Sequence, residues 1–140
     1  MPDKEPIVPQ SVAVKRVRPR LVLLEDNESV RRATELFLLL EEFEVTSVGS
    51  AAETEQVLNA PRGDEVLIAD FHLGGPLTGL DVLRKLRRHT GYEIPAVILS
   101  GDLPTVMRTI KDPVPHCLFL GKPVDTRELL QAIAMLGGLR

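Results

Sequence analysis

The stretch VLIADFHLGG, residues 66–75, decides the fold because a run of apolar residues ends at a carboxylate, Asp70, before a glycine-containing turn. Short apolar runs of the same kind recur along the chain, at Leu21–Leu24, Val45–Val48, Val66–Ala69, Ala96–Leu99 and Leu118–Leu120. Strands that are buried on both faces of a parallel sheet have this near-continuous apolar composition. The runs therefore predict five parallel strands.

Longer amphipathic stretches separate these runs and predict helices at residues 28–42, 51–60, 79–89, 103–111 and 125–136. The fourth is the weakest, because Pro113 and Pro115 stop it early. Regular alternation of strands and helices indicates an α/β fold, a doubly wound sheet with helices on both faces and right-handed crossovers. Ligands of such sheets bind beyond the carboxyl ends of the strands.

The first helix carries more apolar side chains than burial requires. Helical spacing predicts its buried face, which consists of Val30, Ala33, Phe37 and Leu40. Leu36, Leu38 and Leu39 are then surplus. Some of these leucines should therefore face solvent or a partner.

Length and composition fit one cytoplasmic domain. The chain has 140 residues, of which 44% are apolar and 26% are charged. No apolar run approaches the roughly 20 residues of a membrane span, and residues 1–10 lack the apolar stretch of a secretory signal. A single cysteine, Cys117, excludes an internal disulfide, and we expect it to be a small buried residue of the fifth strand.

Residues 1–19 are predicted to form a flexible, basic, proline-containing tail, and residues 20–138 to form the folded domain. Residues 1–20 hold five lysines and arginines against two acids, a net charge of +3, whereas the whole chain carries −3. A basic arm without aromatic residues or a basic helix is typical of a solvated tail. We therefore expect no direct nucleic-acid binding and no membrane partner.

Polar side chains that follow the predicted strands point to one site. Glu25 and Asp26 end the first strand, Asp70 ends the third, Ser100 ends the fourth, and Lys122 follows the fifth. Three carboxylates that meet beyond a parallel sheet repel one another. A hard divalent cation relieves this repulsion, and an all-oxygen site that also takes phosphate suits Mg²⁺.

These groups together suit phosphoryl transfer. A cation and Lys122 neutralise phosphoryl oxygens, and the Ser100 hydroxyl donates to one of them. Asp70 should be the nucleophile, because a carboxylate can form an acyl phosphate. Neither Ser100 nor Lys122 has an adjacent base to activate it.

The sequence resembles the receiver domains of two-component response regulators, the CheY-like family, in four segments: LVLLEDNESVRR (21–32), VLIADFHLGG (66–75), VILSG (97–101) and FLGKPVDTRELL (119–130). Their order and separations make a strong composite, and the resemblance extends over nearly everything except the tail. It implies a flavodoxin-like (βα)5 fold with a five-stranded parallel sheet in strand order 2-1-3-4-5.

The resemblance also implies the roles of the acidic residues. Asp70 matches the phosphoacceptor of the family. Asp26, Asp70 and the backbone carbonyl of His72 match the direct ligands of Mg²⁺, and Glu25 matches an acid that acts on the metal through a bound water.

The remaining motif residues match groups that contact phosphate or respond to it. Ser100 matches the switch hydroxyl, Lys122 the lysine that pairs with phosphate, and Phe119 the aromatic switch position. The Lys122–Pro123 bond is expected to be cis, as it usually is in the family. Side chains that lie two positions after the phosphoacceptor and after the switch hydroxyl tune phosphate lifetime, and here these are His72 and Asp102.

The implied function is signal transduction by a phosphoacceptor that catalyses only its own phosphorylation and dephosphorylation. The donor is a histidine kinase or a histidine phosphotransfer protein, and the output is contact with a downstream protein or a phosphorelay step. The chain is either a stand-alone regulator or a receiver excised from a hybrid histidine kinase. An Mg²⁺-dependent phosphatase or hydrolase on a similar fold is an alternative from another class, although position 72 is histidine rather than a second acid.

Overall fold

Parallel strands alternate with helices over residues 18–137, the part of the chain that the computed structural model describes. The strands are β1 (Arg20–Leu24), β2 (Glu44–Val48), β3 (Glu65–Asp70), β4 (Ala96–Ser100) and β5 (Cys117–Gly121). The helices are α1 (Glu28–Leu40), α2 (Ala51–Leu58), α3 (Gly79–Thr90), α4 (Leu103–Thr109) and α5 (Thr126–Gly137). Of the tail predicted at residues 1–19, all but the last two residues lie outside the described part.

The strands form one parallel sheet in the order β2-β1-β3-β4-β5. Leu24 at the end of β1 lies beside Val48 of β2 on one side and Ala69 of β3 on the other. This topology confirms the predicted doubly wound α/β fold and its strand order 2-1-3-4-5. The order reverses between β1 and β3, so the crevice at their carboxyl ends is the favoured place for a ligand.

Strand side chains alternate between two apolar layers, because successive residues of a strand point to opposite faces. In β1, Val22 and Leu24 pack in the layer beneath α2 and α3, whereas Leu21 and Leu23 pack in the layer beneath α1 and α5. Every residue of β3 and β4 is buried. Coverage on both faces therefore explains the apolar runs of the three inner strands β1, β3 and β4, whereas the edge strands β2 and β5 are only partly buried.

The buried face of α1 differs from the prediction. Leu38 is fully buried and Phe37 is partly buried, whereas Val30, Ala33 and Leu40 of the predicted face are exposed. Four consecutive apolar residues at 37–40 fit more than one phase of a helical pattern, so spacing alone selected the wrong stripe. The expected surplus of apolar side chains does reach solvent, at Leu36, Leu39 and Leu40.

Helix ends differ from the predicted limits by one or two residues. Helix α1 ends at Leu40 because Glu42 takes a left-handed φ of 69° and turns the chain toward β2. Helix α4 ends at Thr109, where Ile110 takes an extended conformation ahead of the prolines. Cys117 is partly rather than fully buried, and its burial raises the pKa of the thiol to about 11.

A buried carboxylate closes the amino-terminal edge of the sheet. The fully buried Glu65 accepts hydrogen bonds from the backbone N–H groups of Arg62 at 2.7 Å and Gly63 at 3.0 Å. Its third donor is the Arg20 guanidinium at 2.8 Å. Burial alone would raise the pKa of Glu65, but these hydrogen bonds outweigh it and hold the pKa below its ordinary value.

The first and last described residues meet at this same edge. The Arg18 guanidinium lies 4.0 Å from the centre of the Phe43 ring. Pro19 packs so closely on the end of α5 that a Cβ added to Gly137 would lie 3.4 Å from the proline ring. Among the described residues, no helix has the length and hydropathy needed to cross a bilayer.

Candidate functional site

Three carboxylates converge at the opposite, carboxyl-terminal edge of the sheet. Oxygens of Glu25, Asp26 and Asp70 all lie within 4.8 Å of one another. Glu25 and Asp70 are buried, whereas Asp26 is exposed. Glu25 and Asp26 follow β1, Asp70 ends β3, and these two strands are neighbours in the sheet. The predicted acidic residues are therefore brought together at the reversal in strand order.

Lys122 joins this cluster from the loop after β5. Its Nζ lies 3.1 Å from Asp70 Oδ2 and 3.3 Å from Glu25 Oε1. Burial alone would lower the pKa of this ammonium, but the contacts with Asp70 and Glu25 outweigh burial and raise the pKa above its ordinary value. The Lys122 N–H donates to the carbonyl of Ser100 at 2.8 Å, and the Lys122–Pro123 bond is cis.

The loop between β1 and α1 holds the Glu25 carboxylate that follows β1. The N–H of Asn27 donates to Glu25 Oε2 at 3.1 Å, and the Asn27 side chain caps α1 by accepting the Val30 N–H at 3.0 Å. Asparagine is among the preferred residues at this helix position. The start of α1 and the orientation of Glu25 are thus set by one short turn.

The acidic cluster fits a hard divalent cation. Its donors are carboxylate oxygens, which Mg²⁺ prefers, and one acid is exposed so that bound water and a phosphate can approach. Oxygens that share one octahedral Mg²⁺ lie about 3 to 4 Å apart, since each is bound at about 2.1 Å. The carboxylate oxygens of the cluster would need to approach one another by less than about 2 Å to reach that distance.

Two glycines allow the loop after β3 to lie close to the acids. Gly74 has a left-handed φ of +73°, and a Cβ at this position would lie 2.9 Å from Asp26 Oδ2. A Cβ on Gly79, the first residue of α3, would overlap the backbone carbonyl oxygen of Asp70. The loop and the helix can therefore approach the acids only where side chains are missing.

Ser100 ends β4, the strand next to β3, and Asp102 follows it at the start of α4. Ser100 is fully buried, and its Oγ accepts a hydrogen bond from the Asp102 N–H at 3.0 Å. A hydroxyl that accepts one bond keeps its own hydrogen for another acceptor. The Asp102 carboxylate caps α4 by accepting the Thr105 N–H at 3.4 Å. Asp102 thus serves the helix as well as lying at the predicted tuning position.

The remaining predicted residues occupy the neighbouring strand and loop. Phe119 is partly buried in β5 beside Ile98 and packs in the layer of α2 and α3. His72 donates its backbone N–H toward Asp70 Oδ1 at 3.4 Å, and its ring meets the Phe71 ring edge-on. The predicted roles of Phe119 in switching and of His72 as a metal ligand stay predictions.

A cleft of about 330 Å³ opens beside Asp70 and Lys122. Its lining includes the apolar side chains of Val30, Pro123 and Val124. An apolar cleft that ends at charged groups can hold a planar ring close to them.

Sequence patterns missed one cation near the acids. Arg31 lies outside the face of α1 that was predicted to be buried, yet its Nη1 donates to the Glu25 carbonyl at 2.8 Å. The signal that was available is Gly49, a glycine at the end of the strand next to β1, which leaves space for a long side chain.

Comparison with known families matches residues 21–134 to the response regulator receiver domain. The chain belongs to this family. The matched range includes Glu25, Asp26, Asp70, Ser100 and Lys122, whose predicted roles stay predictions.

Curated relatives are longer proteins. The receiver domain is 34% identical over 128 residues to the sensory/regulatory protein RpfC of Xanthomonas campestris pv. campestris, covering 86% of this chain and 17% of RpfC. It is also 34% identical over 124 residues to the two-component response regulator-like protein APRR1 of Arabidopsis thaliana, covering 84% of this chain and 19% of APRR1. The receiver domain thus spans about a fifth of these relatives.

Solved structures share the fold. A sensor protein from Polaromonas sp. JS666 superimposes with a TM-score of 0.75 at 26% identity, covering 87% of this chain and 98% of that one. The receiver domain of the hybrid histidine kinase CckA gives a TM-score of 0.67 at 24% identity, covering 84% and 97%. Two-component signalling is the function common to the family.

Proposed function

We propose that this receiver domain accepts a phosphoryl group on Asp70 from a phosphohistidine donor in an Mg²⁺-dependent reaction. The observation that carries the proposal is the position of the Asp70 carboxylate, which contacts the Lys122 ammonium at 3.1 Å and shares a cluster with Glu25 and Asp26. A nucleophile held between a cation and further acids fits a site for phosphoryl transfer.

The chemical step replaces one bond to phosphorus with another. An oxygen of Asp70 forms the new bond to phosphorus while the bond from phosphorus to the donor's imidazole nitrogen breaks, and the imidazole keeps that electron pair. Bound Mg²⁺ would neutralise charge on the phosphoryl oxygens. Asp26, Asp70 and the His72 carbonyl would hold it directly, with Glu25 acting through a water.

Lys122 and Ser100 respond to the new charge. The Lys122 ammonium, now shared by Asp70 and Glu25, can pair with a phosphoryl oxygen, and the Ser100 hydroxyl can donate to another. Repacking of Phe119 would then shift an equilibrium between two conformations of the domain. His72 and Asp102 are proposed to tune how long the phosphate remains.

The proposed donor is a histidine kinase or a histidine phosphotransfer protein. The cleft beside Asp70, with Val30 and Pro123 on its walls, offers room for the donor's imidazole ring next to the nucleophile. The resemblance to RpfC and to the receiver of the hybrid kinase CckA is compatible with a receiver from a hybrid kinase and with a stand-alone regulator. The downstream target and the cytoplasmic location stay predictions.

The test is labelling of Asp70 by a small phosphodonor in the presence of Mg²⁺. Intact-mass spectra should show one phosphoryl group per wild-type chain and none on Asp70→Asn. The exposed Asp112 supplies the matched control, and Asp112→Asn should be labelled like the wild type. Undiminished labelling of Asp70→Asn would reject the assignment, and repeated turnover of an external phosphoester without self-labelling would favour the phosphatase alternative.

A further inference from the structure

Arg31 reaches from α1 to the backbone behind the acidic cluster. It lies one turn into the helix and is partly buried. Its Nη1 donates to the Glu25 carbonyl at 2.8 Å, a distance typical of a charge-assisted hydrogen bond. Arg32, the next residue, faces solvent and pairs only at the surface with Glu28, at 3.1 Å.

Gly49 provides the space through which Arg31 passes. A Cβ at Gly49 would lie 2.9 Å from Arg31 Nη1 and 3.5 Å from its Cζ. The Gly49 N–H is held by Glu53 Oε1 at 2.7 Å, so the end of β2 is fixed to the start of α2. A side chain at position 49 would therefore displace the guanidinium rather than the backbone.

The Glu25 carbonyl belongs to the peptide group that joins Glu25 to Asp26, the two acids of the cluster that follow β1. The orientation of this peptide sets the directions in which both carboxylates leave the backbone. We propose that Arg31 is a positioning residue that holds this peptide, through the space left by Gly49, so that Glu25 and Asp26 face the same Mg²⁺. The inference rests on the proposed Mg²⁺-dependent function.

Charge and positioning predict opposite effects when Arg31 is replaced. A guanidinium near the site repels Mg²⁺, so removing its charge should tighten metal binding if Coulombic repulsion were its main effect. Loss of a group that orients metal ligands weakens binding instead, by about 10- to 100-fold in other metal sites. The direction of the change therefore separates the two effects.

The experiment measures the Mg²⁺ dissociation constant of the full chain by calorimetry. We expect Arg31→Gln to weaken binding about tenfold. Arg32→Gln removes the same charge one position away and should leave binding unchanged or slightly tighter. Gly49→Ala keeps the charge but moves the guanidinium, and it should weaken binding less than Arg31→Gln but in the same direction.

A double variant tests whether the two residues act through one contact. Arg31→Gln with Gly49→Ala should bind Mg²⁺ no more weakly than Arg31→Gln alone, because the alanine has no guanidinium left to displace. Additive weakening would overturn the proposed contact. If Arg31→Gln bound Mg²⁺ as tightly as the wild type, or more tightly, the positioning role itself would be overturned.

A spectroscopic measurement without metal keeps the inference testable apart from the function. The ¹⁵N amide resonance of Asp26 reports on the peptide whose carbonyl Arg31 contacts, and it should shift in Arg31→Gln and Gly49→Ala but not in Arg32→Gln. If the Asp26 resonance did not move in Arg31→Gln, the positioning role of Arg31 would be overturned and the proposed function would be unaffected. Failure of the wild-type protein to bind Mg²⁺, with the resonance shifted as expected, would instead overturn the metal dependence in the proposed function.

Discussion

At the scale of single residues, the site depends on where side chains are missing as much as on where acids lie. Gly79 shows this most sharply, because it brings α3 against the backbone of the proposed phosphoacceptor. Replacement of glycine by alanine in a helix ordinarily stabilises by about 1 kcal/mol. Here the added methyl group would overlap the Asp70 carbonyl, and such overpacking costs about 1–3 kcal/mol.

We therefore expect Gly79→Ala to destabilise the receiver domain by up to about 2 kcal/mol, with the overlap outweighing the gain in helix propensity. Urea unfolding monitored by circular dichroism measures the change. Gly75→Ala is the matched control, since among the described residues nothing lies within 4 Å of an added Cβ at that position. Equal stability of the two variants would show that α3 can move away from Asp70 at little cost.

The sequence predicted the acids, the lysine and the hydroxyl because the carboxyl ends of parallel strands always meet at one edge. It did not predict the contact of Arg31 with the Glu25 carbonyl. A long side chain on the surface of a helix can extend into solvent or fold back over its neighbours. Residue type and spacing do not choose between these outcomes, whereas a gap such as Gly49 does.

At the scale of elements, the start of α3 is defined by reciprocal capping. Thr78 accepts the Asp81 N–H at 3.0 Å, and the Asp81 carboxylate accepts the Thr78 N–H at 2.9 Å. Thr78 also pairs with His72 in an antiparallel bridge that closes the loop after β3. One threonine thus joins the loop near the acids to the helix that follows.

Thr78→Ala should lower the free energy of unfolding by about 1 kcal/mol, since it removes the capping hydroxyl. Thr78→Ser keeps that hydroxyl and should recover most of the loss. Thermal and urea unfolding of the three proteins measures both values. Equal loss in the serine variant would indicate that the methyl group, rather than the cap, stabilises this turn.

Elements were predictable to different degrees for physical reasons. Strands β1, β3 and β4 are buried on both faces, so their composition alone identifies them. The prediction of the buried face of α1 was wrong because residues 37–40 are all apolar and leave the helical phase undetermined. The ends of α1 and α4 depend on backbone conformations at Glu42 and Ile110 that spacing does not encode.

At the scale of the whole molecule, charge is organised at both edges of the sheet. The carboxyl-terminal edge holds the acidic cluster, and the amino-terminal edge holds Glu65 among its three donors. Because the pKa of Glu65 is lower in the folded protein than its ordinary value of 4.5, its charged form stabilises the fold. This contribution is complete above that ordinary value and is lost as the pH falls through the lower, folded pKa.

Glu65→Gln should therefore reduce stability by about 2 kcal/mol near neutral pH, because an amide nitrogen would face backbone donors in a buried site. The difference from wild type should shrink as the pH falls below 4.5, the ordinary pKa. Glu44→Gln is the control: Glu44 also lies beside Arg20 in the sheet, but its side chain is 64% exposed. A stability gap for Glu65→Gln that stays constant with pH would contradict this account.

The contact between Pro19 and Gly137 has a practical consequence for protein engineering. Both described ends leave the domain side by side, on the edge that faces away from Asp70. A domain with adjoining ends can be spliced into a surface loop of a host protein with short spacers, and the graft leaves the acidic edge open to solvent. If Asp70 accepts phosphate and the domain switches as proposed above, a fluorescent host that carries this insert would report that phosphorylation optically.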